Sequence, residues 1–100
     1  MTSDRVDIHL CLIRLEFFFP EAHSLKEKRF NLRRLKDRLK AKFNVSIAEV
    51  GYQDLWQRSV VALAAVSGDR GLLQQMEARI RQEVDELAPS ELTEFHVEYF

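Results

Sequence analysis

Apolar residues follow six successive patterns along the chain, which predict six secondary-structure elements. Alternation indicates a strand, and recurrence every three or four residues indicates a helix. The predicted elements are strands at 6–18, 44–52, 58–67 and 91–100, a helix from Ser24 to about Phe43, and a helix that begins after Asp69 and is ended by Pro89. The order β-α-β-β-α-β predicts an α+β, ferredoxin-like fold, in which a four-stranded antiparallel sheet carries two helices on one face.

The first and third strands are apolar on both faces, which predicts that they are the central strands. We expect a single domain over residues 1–100, because this length leaves room for one hydrophobic core. The two helices cover only one face of the sheet, and the other face would expose apolar side chains. We therefore expect a homo-oligomer that packs through the open sheet face, most simply a dimer.

The first helix has a clear start signal and an amphipathic pattern. Ser24 to Glu27 has the S-x-x-E form of a capping box. The Ser24 hydroxyl is predicted to accept from the Glu27 amide, and the Glu27 carboxylate from the Ser24 amide. The apolar stripe of the helix comprises Leu25, Leu32, Leu35, Leu39 and Phe43. Glu49 interrupts one face of the second strand, which indicates an edge position.

Charge is segregated between this helix and the rest of the chain. Residues 24–42 contain nine of the fifteen Lys and Arg residues and two acids, a sum of 9 − 2 = +7, and the remainder sums to 6 − 14 = −8. At helical spacing, one flank of the stripe carries a basic row of Lys26, Arg29, Arg33, Lys36 and Lys40. The row is about 20 Å long. Such a row suits the phosphates of a nucleic-acid backbone, although a solvated helix face would show the same pattern.

Three further positions stand out around the basic row. Lys28 falls within the leucine stripe, where its methylenes either cover the apolar residues while the amine reaches water, or hold the amine near His23 and Ser24 as an anion site. Phe30 lies on the polar side of the helix, and Trp56 lies between the second and third strands. Each aromatic ring is a candidate for base stacking or for an oligomer contact.

The residues that usually carry catalysis are scattered. The three histidines fall in different elements, the single Cys11 lies within an apolar strand, and the sequence has no glycine-rich phosphate loop. We therefore predict no metal, no cofactor and no catalytic residues, and expect a binding protein more than an enzyme. We see no signal peptide or membrane span and expect a soluble, cytoplasmic protein.

Three stretches resemble the hallmarks of a known family. They are SLKEKR at 24–29, FNVSIAEVG at 43–51 and QDLWQRS at 53–59, and they are similar to those of the YlxP-like bacterial family, a domain of unknown function numbered 503. The resemblance implies a ferredoxin-like fold. In many bacteria the genes of this family lie among translation and ribosome-maturation genes, which implies a ribosome- or RNA-associated role. The resemblance supplies no catalytic residues.

Two hypotheses about function follow. In the first, the chain is an RNA- or ribosome-associated accessory factor that binds phosphates through the basic row. In the alternative, it is a homo-oligomeric protein-interaction module without nucleic-acid binding, whose basic helix docks on an acidic partner or on an acidic patch of its own oligomer. An enzyme that acts on a small anion near Lys28 and His23 ranks third.

Overall fold

The computed structural model describes residues 5–100 and contains the six predicted elements in the predicted order. The elements are β1 (His9–Phe18), α1 (Leu25–Lys42), β2 (Ser46–Gly51), β3 (Arg58–Ser67), α2 (Arg70–Leu87) and β4 (Leu92–Tyr99). The sheet order is β2-β3-β1-β4, and every neighbouring pair is antiparallel. The ferredoxin-like prediction is therefore confirmed, as are the central positions of β1 and β3 and the edge position of β2.

The ends of the elements differ from the predictions by a few residues. β1 begins at His9 and not at Val6, because its ladder with β3 starts at the His9–Ser67 pair. The side chains of Val6 and Ile8 are exposed. They lie ahead of that first pair, so they have no neighbouring strand in the ladder. The bounds of β3 agree with the prediction at both ends.

The core lies between the sheet and the two helices. Odd-numbered residues of β1 and β3 point into it, which is why buried and less buried positions alternate along both strands. Cys11 is among these residues, and burial raises the pKa of its thiol. α2 lies against β1, β3 and β4, whereas α1 lies against β2 and α2. Within residues 5–100, neither helix is long and apolar enough to cross a membrane.

Candidate functional site

The start of α1 is fixed by a cap that differs in one bond from the prediction. The Ser24 hydroxyl accepts from the Glu27 amide at 3.1 Å, as predicted. The Glu27 carboxylate accepts from the His23 amide at 2.7 Å, and not from the Ser24 amide. Ser24 itself has an extended backbone (φ −162°, ψ 162°), as is usual for the residue that caps a helix. The reciprocal cap therefore also holds the end of the preceding loop.

The basic row lies along the exposed flank of α1. Lys26, Arg29, Arg33 and Lys40 are exposed, and Lys36 is partly exposed. Among the described residues, none of the five forms an ion pair within 4.0 Å. The structure thus brings the five predicted residues onto one surface, where none of them is in an ion pair with an acid of the described residues.

Two other basic residues of α1 behave differently. Arg38 and Lys42 lie on the opposite flank of the leucine stripe, which faces α2. Both pair with the carboxylate of Glu83, Arg38 at 3.8 Å and Lys42 through a hydrogen bond. The two flanks of the helix therefore have different roles, because one joins α1 to α2 and the other is left to solvent.

Lys28 is completely buried, and its ammonium group points toward the loop between β2 and β3. Its Nζ donates to the backbone oxygens of Tyr52 at 2.8 Å, Gln53 at 3.2 Å and Arg58 at 3.2 Å. It also lies 3.0 Å from a carboxylate oxygen of Glu49. A buried charge needs this dense set of partners, since an unpaired ammonium in the core would be very costly.

Glu49 completes the arrangement from the sheet side. The carboxylate oxygen that faces Lys28 also accepts a hydrogen bond from the buried Ser59 hydroxyl at 2.7 Å. Glu49 therefore lies on the inner face of β2 because its charge is neutralised there. We call Lys28, Glu49 and Ser59 the buried network. It joins α1, β2 and β3 at one end of the sheet.

The geometry of Lys28 bears on the predicted anion site. Lys28 has three donor hydrogens and is surrounded by four oxygens, and it has no exposed surface. It does not reach water past the helix start. His23 is exposed and Ser24 is engaged in the helix cap. The structure therefore does not bring Lys28, His23 and Ser24 together around an open pocket, and it gives the anion-site prediction no support.

The loop held by Lys28 has an unusual backbone. Tyr52 adopts φ 55°, in the left-handed region that favours glycine, and it is the only such non-glycine residue among residues 5–100. The Arg58 guanidinium lies 4.3 Å from the centre of the Tyr52 ring. Gln57 ties the other end of the loop to the segment before α1, by donating to the carbonyls of Pro20 and Ala22.

The two candidate aromatic residues lie in different places. Phe30 is 62% exposed and lines a hollow on α1 together with Lys26. Trp56 is 53% exposed and lines a hollow of about 360 Å³ with Phe18, next to the open sheet face. Phe30 therefore belongs to the surface of the basic row, whereas Trp56 belongs to the end of the open sheet face.

The buried network was not foreseen from the sequence, although two signals for it were present. Lys28 is a charged residue in an apolar helix stripe, and Glu49 is a charged residue that interrupts an inward strand face. Opposite charges at two inward positions indicate a pair. What the sequence does not show is that α1 crosses β2 at the point that brings these two residues together.

The three hallmark stretches of the sequence meet at this network. Lys28 comes from 24–29, Glu49 from 43–51, and Ser59 with the carbonyl of Gln53 from 53–59. The fold is that of ferredoxin-like α+β proteins. Similar solved structures include the designed protein Ferredog-Diesel, with a TM-score of 0.60 at 14% identity over 98% of this chain and 90% of that one. Another is SnoaB, a cofactor-independent oxygenase from Streptomyces nogalater, with a TM-score of 0.54 at 13% identity over 94% and 91%.

Comparison of sequences then gives the family. The family described as "Protein of unknown function (DUF503)" matches residues 10–97. The chain is 44% identical over 80 residues to the uncharacterised protein YlxP of Bacillus subtilis (strain 168), which covers 80% of this chain and 87% of that protein. The chain therefore belongs to the DUF503 family.

Proposed function

We propose that this protein binds the phosphate backbone of RNA through the basic row of α1, as an accessory factor associated with the ribosome. The observation that carries the proposal is the contrast between the two flanks of one helix. Arg38 and Lys42 are paired with Glu83, whereas the five residues of the basic row have no acidic partner within 4.0 Å among the described residues. A folded protein gains little by leaving five like charges side by side, unless an anionic partner neutralises them.

The geometry of the row suits a phosphate backbone. The residues repeat every three or four positions on a rigid helix, so their charges follow a line about 20 Å long. Each cation that contacts a phosphate releases condensed counterions, which makes binding favourable and dependent on salt. A regular line of Lys and Arg side chains suits successive phosphates, so we expect recognition of the backbone more than of base sequence.

Phe30 extends this surface at the N-terminal end of the row. Its exposed ring lies beside Lys26 in a shallow hollow. An exposed aromatic ring beside cations is suited to stack on an unpaired base. We expect Phe30→Ala to weaken binding to a single-stranded RNA more than binding to a duplex.

The proposal is tested by RNA binding with two charge-matched variants. Arg33→Gln with Lys36→Gln removes two charges from the row, and Arg34→Gln with Arg38→Gln removes two charges elsewhere on α1. Affinity for ribosomal RNA is measured at about 50 mM and about 200 mM salt. The first variant should reduce the slope of log affinity against log salt by about 1.5, and the second should leave it close to wild type.

Two outcomes would reject the proposal. The first is absence of binding at low salt, and the second is an equal loss in both double variants, which would indicate a response to net charge alone. Either result would favour the alternative function, a homo-oligomeric protein-interaction module without nucleic-acid binding. That alternative is supported by a separate feature, the uncovered face of the sheet.

A further inference from the structure

We infer that two copies of this chain associate through the open sheet face, with β3 of each copy at the centre of the contact. This proposal is independent of RNA binding, because it concerns the surface opposite the helices. The face consists of the even-numbered residues of β1 and β3 with their neighbours on β2 and β4. No helix of residues 5–100 covers it.

The face is divided into an apolar side and a charged side. β3 contributes Val60, Ala62, Ala64 and Val66, and β2 places Ala48 beside Ala62. These small side chains form a flat surface that a second sheet can approach closely. Val66, near the end of β3, is 64% exposed and extends this apolar surface.

The charged side of the face is formed by β4 and its neighbours on β1. Glu94, His96 and Glu98 alternate along β4, opposite Glu16, Arg14 and Leu12. Arg14 lies 3.4 Å from Glu94 and 4.0 Å from Glu16, so it already serves both acids of its own chain. This side therefore retains a negative balance, and two such sides would repel each other.

This distribution of charge favours a second copy of the chain as the partner, and it favours an orientation that keeps the two β4 strands apart. A two-fold axis along the strands, placed between two facing β3 strands, sets β1 of each copy over β2 of the other. The two β4 strands then fall at opposite rims, where their acids remain in water. Arg14 and Glu16 of β1 lie inside the contact, where they pair with each other at 4.0 Å. An apolar centre with a charged rim is the usual anatomy of a protein interface. The surface is thus complementary to itself, as a two-fold contact requires.

The available area fits a reversible dimer. Strands β1, β2 and β3 contain ten, six and ten residues, and at about 3.3 Å per residue and about 4.8 Å between strands they cover roughly 400 Å² per copy. The total of roughly 800 Å² is the size of a small, transient interface. At one end of the face, the hollow between Phe18 and Trp56 offers space for side chains of the second copy. We therefore expect association that depends on protein concentration.

The test is sedimentation of nuclease-treated protein over a wide range of concentration, with three variants. The wild type should approach twice its monomer mass of 11.8 kDa. Ala64→Glu places a charge at the centre of the contact and should raise the dimer dissociation constant by at least about a hundredfold. Leu72→Glu is the matched control, because Leu72 is 56% exposed on α2, away from the sheet face, and should dimerise like wild type.

Val66→Glu is a second interface variant. It should not disturb folding of the monomer, since Val66 is already exposed. Circular dichroism confirms that each variant is folded. A monomeric wild type at the highest concentration, or dimerisation of Ala64→Glu and Val66→Glu at wild-type strength, would overturn the proposal. The RNA-binding variants Arg33→Gln and Lys36→Gln should dimerise normally, so failure of one proposal is distinguishable from failure of the other.

Discussion

The ammonium nitrogen of Lys28 in α1 lies 3.0 Å from the carboxylate of Glu49 in β2, and Lys28 has no exposed surface. The pair does more than balance two charges, because the same nitrogen also donates to the carbonyls of Tyr52 and Gln53 in the β2–β3 loop and of Arg58 at the start of β3. Helix, edge strand and loop are therefore linked through a single side chain. The stability of this end of the molecule should depend strongly on it.

We expect Lys28→Met to lower the free energy of unfolding by about 3 to 5 kcal/mol, because it leaves a partly buried carboxylate and three carbonyls without their donor. Urea unfolding measures the change. Lys26→Met on the exposed flank of the same helix is the control and should stay within about 0.5 kcal/mol of wild type. A loss below about 1 kcal/mol for Lys28→Met would mean that the network contributes little.

At Tyr52, whose backbone is left-handed, glycine should be a more stable replacement than alanine, the reverse of the usual order. Tyr52→Ala and Tyr52→Gly both remove the ring that lies against Arg58. Only glycine also relieves the unfavourable φ of 55°. Tyr52→Gly should therefore be more stable than Tyr52→Ala by about 1 kcal/mol in chemical denaturation. If alanine is the more stable replacement, the loop does not hold this conformation in solution.

Gly51 is required for close packing between β2 and β3. A Cβ at this position would lie 3.0 Å from both Cβ and Cγ2 of Val60, so Val60 would have to shift by a few tenths of an ångström. Gly51→Ala should destabilise the protein by about 1 to 3 kcal/mol. Gly68→Ala is the control, because its nearest neighbour is the Asp7 carbonyl at 3.6 Å, an ordinary contact. The thermal midpoints of the two variants separate these cases, and equal midpoints would contradict the prediction.

Glu16 and Glu94 face each other across β1 and β4, and they give stability a dependence on pH. The hydrogen bond to Glu94 raises the pKa of Glu16, the less exposed partner, and the same bond lowers the pKa of Glu94. Because the pKa of Glu16 is raised in the folded state, Glu16 contributes to stability when the pH is below 4.5, its ordinary pKa. This contribution is lost as the pH rises through the pKa of the folded state.

Replacement of Glu16 by glutamine should remove that loss. The amide of Glu16→Gln donates to Glu94 at every pH, so its stability relative to wild type should increase as pH rises from about 4 to about 7. Urea midpoints at several pH values measure this difference. Glu86→Gln, on the exposed surface of α2, should parallel wild type throughout. A constant offset between Glu16→Gln and wild type would show that the two carboxyl groups do not share a proton.

The pattern of apolar residues was sufficient to predict the fold. The errors in the predicted strand ends have a physical cause. Alternation in 6–18 gives the face of each side chain, but it contains no information on how far the neighbouring strands extend. Val6 and Ile8 look like strand residues, and yet β3 and β4 offer them no ladder partner. The bounds of β3 were predicted correctly, because turn residues stand on both sides of it.

The candidate site was predictable only in part. The basic row follows from helical spacing alone, since the five residues need no partner to be placed on one flank. The buried network depends on a contact between residues 21 positions apart, which periodicity within single elements does not contain. The left-handed Tyr52 has no local signal either, because a tyrosine is not typical of that conformation.

The burial of Lys28 has a chemical consequence for this protein. All five lysines of the chain belong to α1, and four of them are at least partly open to solvent. Acylating reagents should modify Lys26, Lys36, Lys40 and Lys42 readily, whereas Lys28 can react only while the β2–β3 loop is detached from the helix. The rate at which Lys28 is labelled therefore reports the rate of local opening, and mass spectrometry can measure it in the protein without any substitution.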